Sequence, residues 1–105
     1  MPNIQLSYLY RDSGNYKNFG SVVFVNSSNN ELSIVEKHIK SRLFDGCWFY
    51  AHHWQLPDLR FFDVNDSDPT WHEFESVDYT DEPASTALSL EEFMSLIEKL
   101  ARPVV

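Results

Sequence analysis

The sequence predicts an α+β fold of two layers, an antiparallel sheet of about five strands with two helices on one face, in the order ββαβββα. Three observations lead there. Apolar and polar residues alternate near the start of the chain. Two separate S-x-x-E boxes each open a stretch with apolar residues at helical spacing. The connections between the β-like segments are too short for parallel crossovers, so neighbouring strands are expected to run antiparallel.

The first strand is read from Ile4, Leu6, Tyr8 and Tyr10, which alternate with Gln5, Ser7 and Arg11; Leu9 breaks the pattern on the polar side. Asp12-Ser13-Gly14-Asn15 is turn chemistry, and a second strand over Ser21 to Val25 closes a hairpin with a long loop. Val22, Val23, Phe24 and Val25 are apolar on both faces, the pattern of a central strand. After the polar loop Ser27-Ser28-Asn29-Asn30, Ser33 and Glu36 form a capping box, Val35, Ile39 and Leu43 line one helical face, and Glu36 and Lys40 form an i,i+4 pair. Gly46 is placed to end this helix.

Trp48 to Ala51 reads as a third strand running on towards His53, and Leu56-Pro57-Asp58 as a turn. Leu59 to Val64 reads as a fourth strand and Trp71 to Val77 as a fifth. Ser89 and Glu92 repeat the capping box, and Leu90, Phe93, Met94, Ile97 and Leu100 form a second amphipathic stripe that ends before Pro103.

At 105 residues the chain is expected to be one domain, residues 1–105, and its 43% hydrophobic content argues against disorder despite a formal charge of -8. The charge is asymmetric. Residues 1–52 carry five basic and four acidic side chains, whereas residues 53–105 carry three and twelve. Direct nucleic-acid or anionic-membrane binding is disfavoured, because both require clustered Lys and Arg. A single cysteine fits a reducing compartment. The first residues show no basic stretch followed by an apolar run, and no segment is long and apolar enough to span a bilayer, so a cytoplasmic location is expected.

Several constellations invite chemistry. Trp71-His72-Glu73-Phe74-Glu75-Ser76 begins like the H-E-x-x-H zinc motif, but Ser76 stands where the second histidine belongs and the flanking residues favour a strand. His52, His53 and His72 are the candidate metal ligands should neighbouring strands bring them together with a carboxylate. Asp63-Val64-Asn65-Asp66-Ser67-Asp68 opens like a calcium loop, yet Asp68 replaces the required glycine and Phe74 the bidentate glutamate. Cys47 follows a helix C-terminus, whose dipole opposes thiolate formation, and is expected to be a small buried residue. Glu73 and Glu75 would share one face of a strand, a solvated pair rather than an acid–base couple. Three glycines provide no phosphate-cradling loop.

Tyr8-Leu9-Tyr10-Arg11-Asp12-Ser13-Gly14-Asn15-Tyr16-Lys17, Leu56-Pro57-Asp58-Leu59 and Thr70-Trp71-His72-Glu73-Phe74 resemble segments of small, uncharacterised bacterial proteins of similar length. The resemblance covers most of the chain. It implies a stand-alone bacterial domain and brings no activity, cofactor or catalytic residue.

The expected function is a non-enzymatic acidic interaction module, immunity- or antitoxin-like or self-associating, with no cofactor. Its partner is expected to be a basic protein or a second copy of the chain in a homodimer. Arg11, Tyr16, Trp54, Asp58, Trp71, Glu73 and Glu75 are the expected contact residues. The alternative is a small metal-binding protein or enzyme using His52, His53, His72 and nearby carboxylates.

Overall fold

The alternating residues at the start of the chain form a strand, β1 (Asn3–Arg11), that sits in the middle of the sheet. Ile4, Leu6, Tyr8 and Tyr10 all point to one face and are almost wholly buried. The structure, a computed structural model, describes residues 2–61 and 67–100. Among these, β1 is followed by β2 (Lys17–Phe24), α1 (Leu32–Lys40), the two-residue β3 (Trp48–Phe49), a 3-10 turn (Ala51–Trp54), β4 (His72–Thr80) and α2 (Leu90–Lys99). The fold is α+β, with one antiparallel sheet of four strands in the order β2-β1-β4-β3.

Both helices pack on the face carrying Ile4, Leu6 and Tyr8, where Val35 and Ile39 from α1 and Leu90, Phe93 and Ile97 from α2 join one hydrophobic core. An aromatic spine runs through it: Phe24 stacks on Phe93 at 4.5 Å, Trp54 meets Phe93 edge-on at 5.8 Å, and Phe49 stacks on Trp54 at 4.4 Å.

The second capping box forms as read. The Ser89 side chain accepts from the Glu92 N–H at 3.2 Å, and Glu92 accepts from the Ser89 N–H at 3.0 Å. The first does not. Helix α1 begins one residue before Ser33, with Glu31 as its N-cap and no side-chain cap. Gly46 does adopt a left-handed conformation, but it turns the chain into β3, whereas α1 has already ended at Lys40 with Ser41 as its C-cap. Val35, Ile39 and Leu43 are buried as expected, and Glu36 and Lys40 lie 3.6 Å apart.

The β-like segments depart further from expectation. The hairpin loop is short, because β2 starts at Lys17 and pairs with Arg11. Asn15 supplies the positive φ, and Asp12 accepts from the Tyr16 N–H at 2.8 Å. The apolar run of β2 belongs to an edge strand, not a central one. Its outer flank is covered by the connector after β4, where Ser85 bonds both the N–H and the C=O of Val23.

The expected third strand stops at Phe49. The 3-10 turn then buries Ala51 and Trp54, three residues apart, and leaves His52 and His53 exposed. The expected fourth strand is irregular over residues 59–61, because side chains take its backbone groups: Asn18 donates to the Leu59 carbonyl, His72 accepts from the Leu59 N–H, and Asp58 accepts from the Arg60 N–H. Residues 62–64 of that segment, and Asp63, Val64, Asn65 and Asp66 of the calcium-like sequence, lie outside the described residues. The fifth expected strand exists and is longer than read, extending to Thr80.

Candidate functional site

Residues 55–61 roof the hairpin end of the core face. The Tyr8 hydroxyl donates to the Pro57 carbonyl at 2.7 Å, and the side chain of Leu59 occupies the space a Cβ on Gly20 would enter, with Leu59 Cδ2 2.8 Å from that position. The Tyr10 hydroxyl donates to the Pro69 carbonyl at 2.7 Å and so ties down the following loop. Burial, and secondarily Asp58, pushes the Tyr8 hydroxyl up to about 12, so it stays a donor at every physiological pH.

His72 sits between these tyrosines and Phe49, 2% exposed. Its Nε2 accepts from the Leu59 N–H at 2.9 Å, which requires a neutral ring with the proton on Nδ1, and Nδ1 has no hydrogen-bond partner. Burial holds its pKa below the ordinary histidine value, outweighing the upward pull of Asp58, whose Oδ1 lies 3.5 Å from Nε2. That contact is therefore no ion pair. Asp58 is instead held as a carboxylate by Arg60, whose hydrogen bonds lower its pKa.

On the opposite face of the sheet, a different arrangement lies at the same end. Arg11 grips Glu73 across β1 and β4 with two hydrogen bonds, of 2.7 and 3.2 Å, and also bonds Asn15. Trp48 pairs with Glu73 across β3 and β4, and Trp71 packs on Trp48 at 5.7 Å and edge-on to Phe44 at 5.9 Å. Asp68 accepts from both the N–H and the hydroxyl of Ser13, joining the hairpin turn to the loop before β4. Arg11, Ser13, Trp48, Asp68, Trp71 and Glu73 line an open cleft of about 480 Å³. Its charged side chains already hold hydrogen bonds, Arg11 and Glu73 with each other, Asp68 with Ser13 and Asp12 with the Tyr16 N–H, so it is built to present a shaped aromatic and polar surface.

Of the expected contact residues, Arg11, Trp71 and Glu73 meet in this cleft. Tyr16 is 72% exposed at the hairpin tip. Asp58 lies on the roofing segment beside His72, on the core face. Trp54 must be corrected: it is 4% exposed and belongs to the core spine, because the 3-10 turn sends it inward. Glu73 and Glu75 do not act as a pair, since a β-bulge places Glu75 out of register with β1 while Glu73 is tied to Arg11. Ser13 and Asp68 join the cleft without having been expected there, and Trp48, whose closeness to Trp71 the sequence suggested, stands among the contact residues as well. The i, i+2 parity of Trp71 and Glu73 pointed to this face, but nothing in the sequence announces the pairing that brings Trp48 beside them.

The remaining candidates disperse. His52 and His53 meet edge-on at 4.2 Å on the exposed 3-10 turn, while His72 is enclosed in the core. No group of three or more His, Cys, Asp or Glu side chains among the described residues is placed to hold a metal ion. Cys47 is exposed in the turn before β3, not buried as expected. No helix among the described residues is long and apolar enough to cross a membrane.

The fold and cleft thus define a two-layer α+β domain with an aromatic, acid-bordered recess on the sheet face opposite the helices. Compared with family models, curated proteins and solved structures, the chain has no match.

Proposed function

We propose that this chain is a non-enzymatic interaction module of the bacterial cytoplasm that docks a basic protein partner on the sheet face opposite the helices. The observation that carries this reading is the cleft in which Trp48 and Trp71 stand beside the Arg11–Glu73 pair, with a chain of formal charge -8 around it. Tryptophan beside partnered charge is the composition of an interface anchor, and the acidic field accelerates encounter with a basic surface. Acid–base work has little support here, because both oxygens of Glu73 are already engaged by Arg11.

Titration with a lysine-rich peptide at low ionic strength, followed by tryptophan fluorescence, tests the reading. Saturable binding is expected, reversed by about 0.5 M NaCl as screening collapses the field. Trp48→Ala combined with Trp71→Ala is expected to weaken binding roughly tenfold or more. The core residue Trp54 provides an internal reference for retained folding. Undiminished binding by the double variant with its fold intact overturns the reading.

A further inference from the structure

Strand β4 is interior to the sheet for only part of its length. β3 pairs with His72 and Glu73 alone, and the last bond on that side runs from the Phe74 N–H to the Cys47 carbonyl at 2.9 Å. The cause is local. Asp45 and Gly46 both take left-handed conformations, with φ of 52° and 69°, and turn the chain away just where it would have met Glu75. Residues 75–80 keep β1 on one side and, among the described residues, no strand on the other. The other edge, β2, is closed by the connector at Val23. Helix α1 packs against β4 and its first N–H is held by the Tyr79 hydroxyl, but among the described residues no backbone bond is made on that side of residues 75–80, and a strand edge without a ladder partner is a template for another strand.

The side chains along the open run favour one kind of occupant. Asp78 and Ser76 lie on the sheet face away from the helices, across from Gln5 and Ser7, and Glu75 stands exposed at the bulge. Asp81 and Glu82 follow directly, and the sequence holds no Lys or Arg between Arg60 and Lys99. On the helix side, Tyr79 is 46% exposed, with its hydroxyl bonded to the Leu32 N–H at 3.0 Å, and offers a fixed apolar ring. A second copy of the chain added antiparallel would set Glu75 and Asp78 against their own like charges, which is unfavourable across a ladder.

We infer that residues 75–80 receive an extended segment of a partner protein as an added strand, its basic residues facing Asp78 and its alternate apolar residues lying against Tyr79. The inference rests on the docking reading above and specifies how part of the partner is held. An added strand alternates its side chains between the two faces, so a basic–apolar repeat of period two satisfies both at once.

The test uses the full chain and an alternating lysine–valine peptide of about ten residues, long enough to span the open run. Amide exchange followed by NMR is expected to show new protection at alternate positions within residues 75–80. Glu75→Lys with Asp78→Lys is expected to weaken that peptide about tenfold or more and to admit its glutamate–valine counterpart. Binding that perturbs the Trp48 and Trp71 indoles but leaves these amides unprotected overturns the added strand and spares the docking reading. Absence of binding overturns both. Protection that appears without peptide, in step with dimer formation, overturns the choice of occupant.

Discussion

His72 carries a polar function inside an apolar setting. The neutral ring accepts the Leu59 N–H that would otherwise be unsatisfied beneath the sheet, and protonation at Nε2 would replace that acceptor with a donor. The sign of the pH effect follows. The unfolded chain takes up this proton near the ordinary value of about 6.5, whereas burial holds the folded ring below it, so the unfolded state binds more protons in between. The contribution of His72 to stability is complete above about pH 6.5 and is lost as pH falls towards the folded pKa. Asp58 is also depressed, by Arg60, and its share is complete above the ordinary aspartate value and lost only at more acidic pH. Urea unfolding between about pH 8 and pH 5 is expected to show stability declining with acid. His72→Gln keeps an acceptor for Leu59 without titrating, and is expected to remove His72's share of that decline; an unchanged pH slope would show that it originates elsewhere. Sequence reading could assign His72 to a strand and separate it from Glu73, but not foresee its role. The partner that defines it is a backbone N–H thirteen residues away, in a segment that reads as a strand and serves instead as a roof.

At the scale of the elements, local signals succeeded where the chain interacts with itself over a few residues. The second capping box is intact, both reciprocal bonds are made, and the first turn of α2 adds Glu91 and Glu92 at the positive end of the helix dipole. The first box has the same S-x-x-E spelling but lies inside α1, two residues too late to cap it. The two serines should therefore respond differently to the same substitution. Ser89→Ala is expected to cost about 1 kcal/mol and Ser33→Ala to stay within about 0.5 kcal/mol of neutral, or slightly stabilise, since alanine is the better interior helix residue. Thermal unfolding of the two variants checks this, and equal losses would mean that Ser33 caps after all. The misread strands have a similar origin. Trp48 to His53 looks β-like by composition, yet Ala51 and Trp54 share an i, i+3 spacing that suits the 3-10 turn they form. The edge position of β2 was hidden because Ser85, which closes its flank, lies more than sixty residues further on.

For the whole molecule, the governing fact is that β1 occupies the centre and is completed by partners at very different distances along the chain. With β2 it forms a hairpin closed by residues 12–16, whereas Asn3 pairs with Thr80 and Leu6 with Val77 from the far end of the sequence. The α+β class was legible because alternation and helical spacing are local properties. Strand order, and with it the cleft and the open edge, was not, because it depends on which remote segment reaches β1. The same separation should govern folding. Closing the short loop costs far less chain entropy than bringing β4 across some seventy residues, so the hairpin is expected to be established in the transition state before β4 has docked fully. Val22 and Val77 flank the same residue, Leu6, from opposite sides and are similarly buried, so their truncations compare the two pairings directly. Val22→Ala is expected mainly to slow folding, and Val77→Ala mainly to speed unfolding, each at an equilibrium cost of about 1–3 kcal/mol, above the range where such ratios become unreliable. Stopped-flow chevrons of the two variants decide the matter. A larger folding-rate loss for Val77→Ala than for Val22→Ala would mean that the long-range pairing forms first, and that the −9 charge surplus of the second half, much of it on and around β4, is gathered against the sheet earlier than its sequence distance implies.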